Sequence, residues 1–454
     1  MTVTIPQVLF LLLLVTTAVI FARRVMTIRR NILLGRDIDR SDRKGERWMH
    51  MARIALGQSK MVARPVSGLL HIIVYVGFIV INLEMLEIVI DGLLGTHRIF
   101  APLLGSAYGL LIGSFEWLAA GVLISCVIFL IRRNVLHIAR FRSSEMKGWP
   151  KGDANIILAT EIVLMSAFLL MNTADSLLHP EFSFALSGQL QGLLAGMSEA
   201  GLHMVERGAW WVHIIGVMAF LVYVTYSKHL HILLAFPNTW YANLEPSGKM
   251  DNMAAVKKEV DMMMDPNVDP YATPPPVEGG GDGAAGEPAL PATFGARDVK
   301  DLSWKQLMEG YSCTECGRCT SVCPANLTGK LLSPRKIMMD TRDRLEEVGK
   351  ALDAAGLKGE EVKNWDGDGK SLLGDYISEE ELWACTSCQA CVEACPLTID
   401  PMGIILDLRR NLIMEDSKAP EPITSMFNNV ENNGAPWAFP AADRGKWVDQ
   451  LNNE

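Results

Sequence analysis

Five apolar stretches, near residues 8–22, 66–90, 109–131, 154–178 and 208–235, dominate the first half of this 454-residue chain. At 1.5 Å of rise per residue, each is long enough as a helix, or nearly so, to cross roughly 30 Å of hydrocarbon. The expectation is five transmembrane helices. The opening MTVTIPQ carries no basic residue, and Arg23, Arg24, Arg29 and Arg30 follow the first stretch. That charge order belongs to an uncleaved anchor whose N-terminus is outside, not to a secretory signal.

Arginine is dense through 23–64, and Arg132, Arg133, Arg140, Arg142, Lys147 and Lys151 follow the third stretch, whereas loops 91–108 and 179–206 carry few basic residues. The positive-inside rule therefore puts the second half of the chain in the cytoplasm of a multi-pass protein of the bacterial inner membrane. The net charge of −9 is spread along the chain and forms no basic stripe with interleaved aromatics, which argues against nucleic-acid binding. Four regions result: a membrane domain, 1–245; a linker, 246–300; a cysteine-rich domain, 301–415; and an irregular tail, 416–454. The linker contains DPNVDPYATPPPVEGGGDGAAGEPALPATFG, Asp265 to Gly295, too poor in apolar residues to fold. It reads as a flexible tether that lets the following domain reposition.

Eight of the nine cysteines fall in two copies of one pattern. CTECGRCTSVCP supplies Cys313, Cys316, Cys319 and Cys323, and CTSCQACVEACP supplies Cys385, Cys388, Cys391 and Cys395. Each is C-x2-C-x2-C-x3-C-P, the spacing with which three thiolates of one loop reach three irons of a 4Fe–4S cubane while the fourth turns to the other cluster. With that crossover, Cys313, Cys316, Cys319 and Cys395 hold one cluster, and Cys385, Cys388, Cys391 and Cys323 hold the second. Disulfides do not suit the cytoplasmic side, and zinc sites rarely use this run with its proline. Cys126, alone in the third apolar stretch, reads as a small buried thiol. The motifs lie farther apart than a small hairpin-built ferredoxin requires. The intervening chain carries helix starts at Ser333-Pro334 and at Ser378 with Glu381.

In the fifth stretch His213 and His231 are five 3.6-residue turns apart, about 27 Å along one face of a continuous helix. His229 then points to the other side. His71 lies just inside the cytoplasmic start of the second stretch, at a depth matching His231. Two readings stand: His71 and His231 as axial ligands of a haem b, with His229 and His213 as second choices, or interfacial histidines beside Lys228 and a packing His71.

Residues 300–415 resemble the α-helical ferredoxin of the heterodisulfide reductase C subunit and of the succinate dehydrogenase iron-sulfur subunit. Residues 1–245 resemble, by architecture and by the end HLHILLAFPN, the nitrate reductase gamma subunit and the heterodisulfide reductase E subunit, which are quinone- or quinol-analogue-linked cytochromes b. This resemblance implies one haem between His71 and His231. A second is left without a partner for His213, because Ile81 and Asn82 stand where the second helix would carry another histidine and His97, His179 and His203 fall in outer loops.

Glu116 and Glu161, at membrane depth, suggest a proton path or quinone pocket, while Glu84, Glu87 and Asp91 either join them or mark where the second helix leaves the bilayer. The fold class is mainly α, a five-helix transmembrane bundle plus a cytoplasmic α-helical ferredoxin-like domain with two 4Fe–4S clusters. The expected function is an electron-transfer subunit of a multi-subunit oxidoreductase, between a cytoplasmic redox partner and membrane quinone. No adjacent Cys-Cys pair and no nucleotide fingerprint is present. Substrate chemistry is therefore expected on a partner subunit, such as the Cys-Cys-motif heterodisulfide reductase type. The competing reading is a membrane-anchored iron-sulfur scaffold or redox sensor without haem or quinone turnover.

Overall fold

The computed structural model describes residues 4–136, 138–182, 184–266, 293–357, 359–362, 365 and 367–452. Five helices are long and apolar enough to cross a membrane: Ile5–Ile32, Pro65–Leu94, Ser106–Asn134, Trp149–Leu178 and Glu199–Val224. Their ends follow local chemistry. Thr4 and Gln7 close a capping box on the first helix, and Arg29 and Arg30 occupy its last turn, where the helix dipole favours cations. Proline opens the second and fourth helices, and Gly95 ends the second in the left-handed conformation. The last four helices pack as an antiparallel bundle, and the first lies against the second and fifth. Among the described residues there are no β-strands, only isolated bridges such as Arg36 to Ser303.

The fifth helix departs from expectation. It ends at Val224, and a turn with a short 3-10 segment, Lys228–Leu230, separates it from a new helix, His231–Trp240. Thr225 Oγ1 donates back to the Val222 carbonyl, Ser227 Oγ accepts from the His229 amide, and Asp153 accepts from the Lys228 amide at 3.2 Å. Side chains thus satisfy the backbone groups that a continuing helix would have used. His213 and His231 do not share a helix, so the rotational argument separating His229 from His231 fails. His203 also lies within the fifth helix, not in a loop.

The cysteine-rich domain is seated on the cytoplasm-assigned end of the bundle. One apolar core runs through both: Ile28, Ile32, Val224, Leu230 and Ala235 cluster with Val299, Leu302, Leu307 and Leu345. Backbone bonds join Arg36 to Leu302 and Trp304, and a Cβ at Gly35 would come within 2.7 Å of backbone atoms of Leu302, Ser303 and Trp304. Only glycine admits that approach. Ion pairs add to the seam, including Arg24 with Glu346 at 2.7 Å, Arg335 with Glu145 at 2.7 Å and the buried pair Lys228 with Glu315.

These contacts hold the cysteine-rich domain against the bundle along one seam. Of the linker, 267–292 lie outside the described residues, Ala254–Met264 is helical, and 293–300 belong to the cluster domain: Ala296 and Val299 are fully buried, and the Ala296 amide donates to the Asp407 carbonyl. The tail expected to be irregular forms helices Glu421–Asn433 and Lys446–Leu451, neither with a buried residue.

Candidate redox centres

The two cysteine loops share one backbone design. In each, the second and fourth residues after the first cysteine have positive φ: Glu315 (53°) and Gly317 (70°) in one, Ser387 (54°) and Gln389 (60°) in the other. Such alternation turns amides toward the sulfurs, and the Ser387 amide donates to Cys385 Sγ at 3.4 Å. After the loop comes one short helix, Arg318–Val322 or Ala390–Ala394, and these two helices pack on each other. Each ends at the fourth cysteine, followed by proline.

This packing brings the fourth cysteine of each motif to the other loop. Cys395 lies in electrostatic range of Cys316 and Cys313, and Cys319 in range of Cys395; Cys385 lies in range of Cys323 and Cys388. All eight thiols are free of disulfides. Two convergent sets of four unpaired thiols fit the donor chemistry of two 4Fe–4S clusters. Burial pushes the Cys313 thiol up to about 11 and those of Cys391 and Cys395 up to about 12, so ligation there must expel protons.

The two sites have different surroundings. Cys388 is exposed. The Cys316 loop instead faces the membrane domain, where Arg318 Nη1 donates to the Lys60 carbonyl at 2.8 Å and Arg64 donates to Ser321. Arg140 is held down at about 10 by burial and then by Arg64, and it too lies in range of Cys316. Lys305 and Asn238 tie the same domain to the helix after the break, through a 2.9 Å hydrogen bond.

Arg318 is also within electrostatic range of His71, and His71, His229 and His231 are in range of one another. The His229 and His231 rings meet edge to face at 5.3 Å. His231 Nδ1 is 3.1 Å from the Lys228 carbonyl, while His71 Nδ1 is buried without a hydrogen-bond partner. An imidazole held by Nδ1–H on a carbonyl presents Nε2 to a metal, and an orphaned buried nitrogen signals a missing partner; both fit an axial-ligand role. His213 does not join this group. It is buried beside Phe168, with Nδ1 2.9 Å from the Leu164 carbonyl.

All of the singled-out acids except Glu161, which lies mid-helix near Cys126, gather at the opposite end of the bundle. Glu87 accepts from Tyr108 at 2.8 Å, Tyr108 from Arg98 at 3.0 Å, and Arg98 also donates to Asp175 and Asn172. Glu116 accepts from the Leu186 amide at 2.8 Å and contacts Asn172, so it fastens a loop. Asp91 accepts from Thr96 and from the amides of Arg98 and Ile99. The buried Glu84 keeps Oε2 unpaired, and Glu161 is half-buried. Arg98, on which this network turns, is a loop residue that no motif or helical spacing in the sequence marks.

Fold and cysteine geometry together define a membrane-anchored iron-sulfur protein of the dicluster type. Residues 312–399 match the 4Fe-4S dicluster domain family. Over 97% of its length the chain is 27% identical to the "Probable iron-sulfur-binding oxidoreductase FadF" of Bacillus subtilis, covering 60% of that protein. Over 91% it is 26% identical to the "EtfAB:quinone oxidoreductase" of Syntrophomonas wolfei, covering 55%. Over 24% it is 33% identical to the C subunit of the CoB-CoM heterodisulfide reductase of Methanosarcina acetivorans, covering 50%. The chain thus spans little more than half the length of these relatives. No solved structure matches it.

Proposed function

We propose that this chain passes electrons between a soluble redox partner and membrane quinone, using two 4Fe–4S clusters and one haem b. The observation that carries the reading is the apposition of the Cys316 loop, through Arg318, to the histidines of the membrane domain. When bound, these groups supply one-electron carriers. Cys313, Cys316, Cys319 and Cys395 hold the membrane-side cluster, and Cys385, Cys388, Cys391 and Cys323 hold the outer one. The exposure of Cys388 supports docking of a partner beside the outer cluster. The relative named an EtfAB:quinone oxidoreductase supports a redox partner of the EtfAB kind, and the heterodisulfide reductase relatives support partner subunits of their kind. The arginines after the first and third helices support a cytoplasmic side for this domain, and the reading takes the membrane to be a bacterial inner membrane.

His71 and His231 are the proposed haem ligands. Glu161 and Glu84, which the loop contacts of Glu116 leave as the freer acids, are the proposed proton or quinone groups. Arg64, Arg140 and Arg318 place positive charge beside Cys316, which favours the reduced, more negative cluster. An oxidised-minus-reduced optical spectrum of the purified chain should show a low-spin b-type haem. His71→Ala and His231→Ala should each abolish it with iron-sulfur content unchanged, and His229→Ala should retain it. A wild-type spectrum without haem would instead favour an iron-sulfur scaffold or sensor.

A further inference from the structure

At the bundle end opposite the cysteine domain, His97, Asp175 and His179 bring one ligand atom each to within 4.8 Å of one another. His97 Nε2 is 3.3 Å and His179 Nε2 is 3.9 Å from the same oxygen, Asp175 Oδ1. In a tetrahedral site with bonds of about 2.1 Å, donors stand about 3.4 Å apart, so the three atoms are already close to ligand spacing. We propose that these residues form a binding site for a divalent transition ion of the zinc class, separate from the redox centres.

Two further observations point to a ligand. Asp175 is 1% exposed, and its Oδ1 lies between the two imidazoles, met at 3.3 Å by His97 Nε2 but by no hydrogen bond of good alignment. A buried carboxylate oxygen with only a poorly aligned donor is incompletely satisfied, and a cation relieves that cost. The groups around the three ligands also hold them as the supporting residues of a metal site do. Asp175 Oδ2 is fixed by Arg98 at 2.7 Å. His179 Nδ1 meets Glu181 at 3.3 Å, which turns Nε2 inward. Asp91 accepts from Thr96 and from the amides of Arg98 and Ile99, locking the turn that carries His97.

The position in sequence serves the same geometry. Asp175 and His179 are four residues apart, on one face where the fourth helix ends, and His97 follows the second helix by a short turn. The His97 and His179 rings lie 4.9 Å apart and are partly exposed, so an ion reaches the site from solvent while Asp175 anchors it from below. Two imidazoles and one carboxylate select zinc, copper or nickel over magnesium or calcium, which prefer all-oxygen shells. One tetrahedral position stays open for water.

The test uses the full chain with its clusters intact, in detergent, dialysed against buffered free Zn2+, with bound zinc and iron measured together. Wild type should hold one zinc more per chain than His97→Ala or His179→Ala, with iron unchanged in all three, which separates this site from zinc lost into empty cysteine loops. Zn2+ should raise the thermal midpoint of wild type only. Glu181→Gln should weaken binding several-fold without abolishing it. Equal zinc in wild type and both histidine variants, or a midpoint shift shared by all, overturns the proposal and leaves His97 as an ion-pair partner of Asp175.

Discussion

Replacing Cys313 and Cys395 together by alanine should leave the chain with about four non-haem irons, whereas replacing Cys313 and Cys323 together should leave almost no non-haem iron. The first pair, from different motifs, lies in one convergent set of thiols; the second pair, from one motif, lies in two. If each motif instead held its own cluster, the outcomes would exchange. Each double variant removes two buried or half-buried thiols, so each controls for nonspecific damage by the other. Iron analysis and electron paramagnetic resonance of the reduced protein read the result, and an exchanged pattern would remove the crossover.

Glu315→Ala should loosen the seam between the two halves by about 3–5 kcal/mol, because it strands buried cations. Glu315 contacts both Lys228 and Arg342, and its side chain is 3% exposed. The measurement is the urea midpoint for release of the cluster domain, followed by proteolysis at the exposed seam. Lys228→Met combined with Glu315→Gln should recover part of the loss. Burial alone would raise the Glu315 carboxyl, yet Arg342 and Lys228 outweigh it and hold the group below its ordinary value. Its contribution is therefore complete above the ordinary carboxylate value of about 4.3 and is lost as pH falls through the lower folded value. Seam stability should fall on acidification, and less so in Glu315→Gln. Equal acid sensitivity in both would show that other carboxylates govern it.

The sequence makes plain what depends on local spacing. Four of the five apolar windows fall within single long helices, Ser333 and Ser378 cap the helices they announce, and the cysteine runs mark both loops. The break at 225–230 is hidden because Thr225 and Tyr226 continue an apolar pattern with no glycine or proline. Beside the local hydroxyls of Thr225 and Ser227, it is fixed by Asp153 and Glu315, remote in sequence. The seating of the cluster domain was hidden for the same reason. Asn31 meets Tyr311, and Arg335 meets Glu145, across long sequence separations that no periodicity reports. The linker's composition suggested freedom, but composition is silent about the faces at its two ends. His97 and His179 looked unpaired in linear order and become neighbours only when the second and fourth helices end side by side.

The shared seam also sets an order of manufacture. The membrane helices leave the ribosome first, so the apolar shelf of Ile28, Ile32 and Leu230 must wait for a domain that emerges later. The Cys316 loop lies on the side that closes against that shelf, with Arg318 on the Lys60 carbonyl. Iron delivery must therefore finish before the halves meet or as they do so. A cell starved of iron-sulfur precursors would accumulate anchored chains with an open greasy edge, the kind of surface that chaperones and membrane proteases patrol. Iron supply would then govern how much of this protein survives in the membrane as well as how much is active.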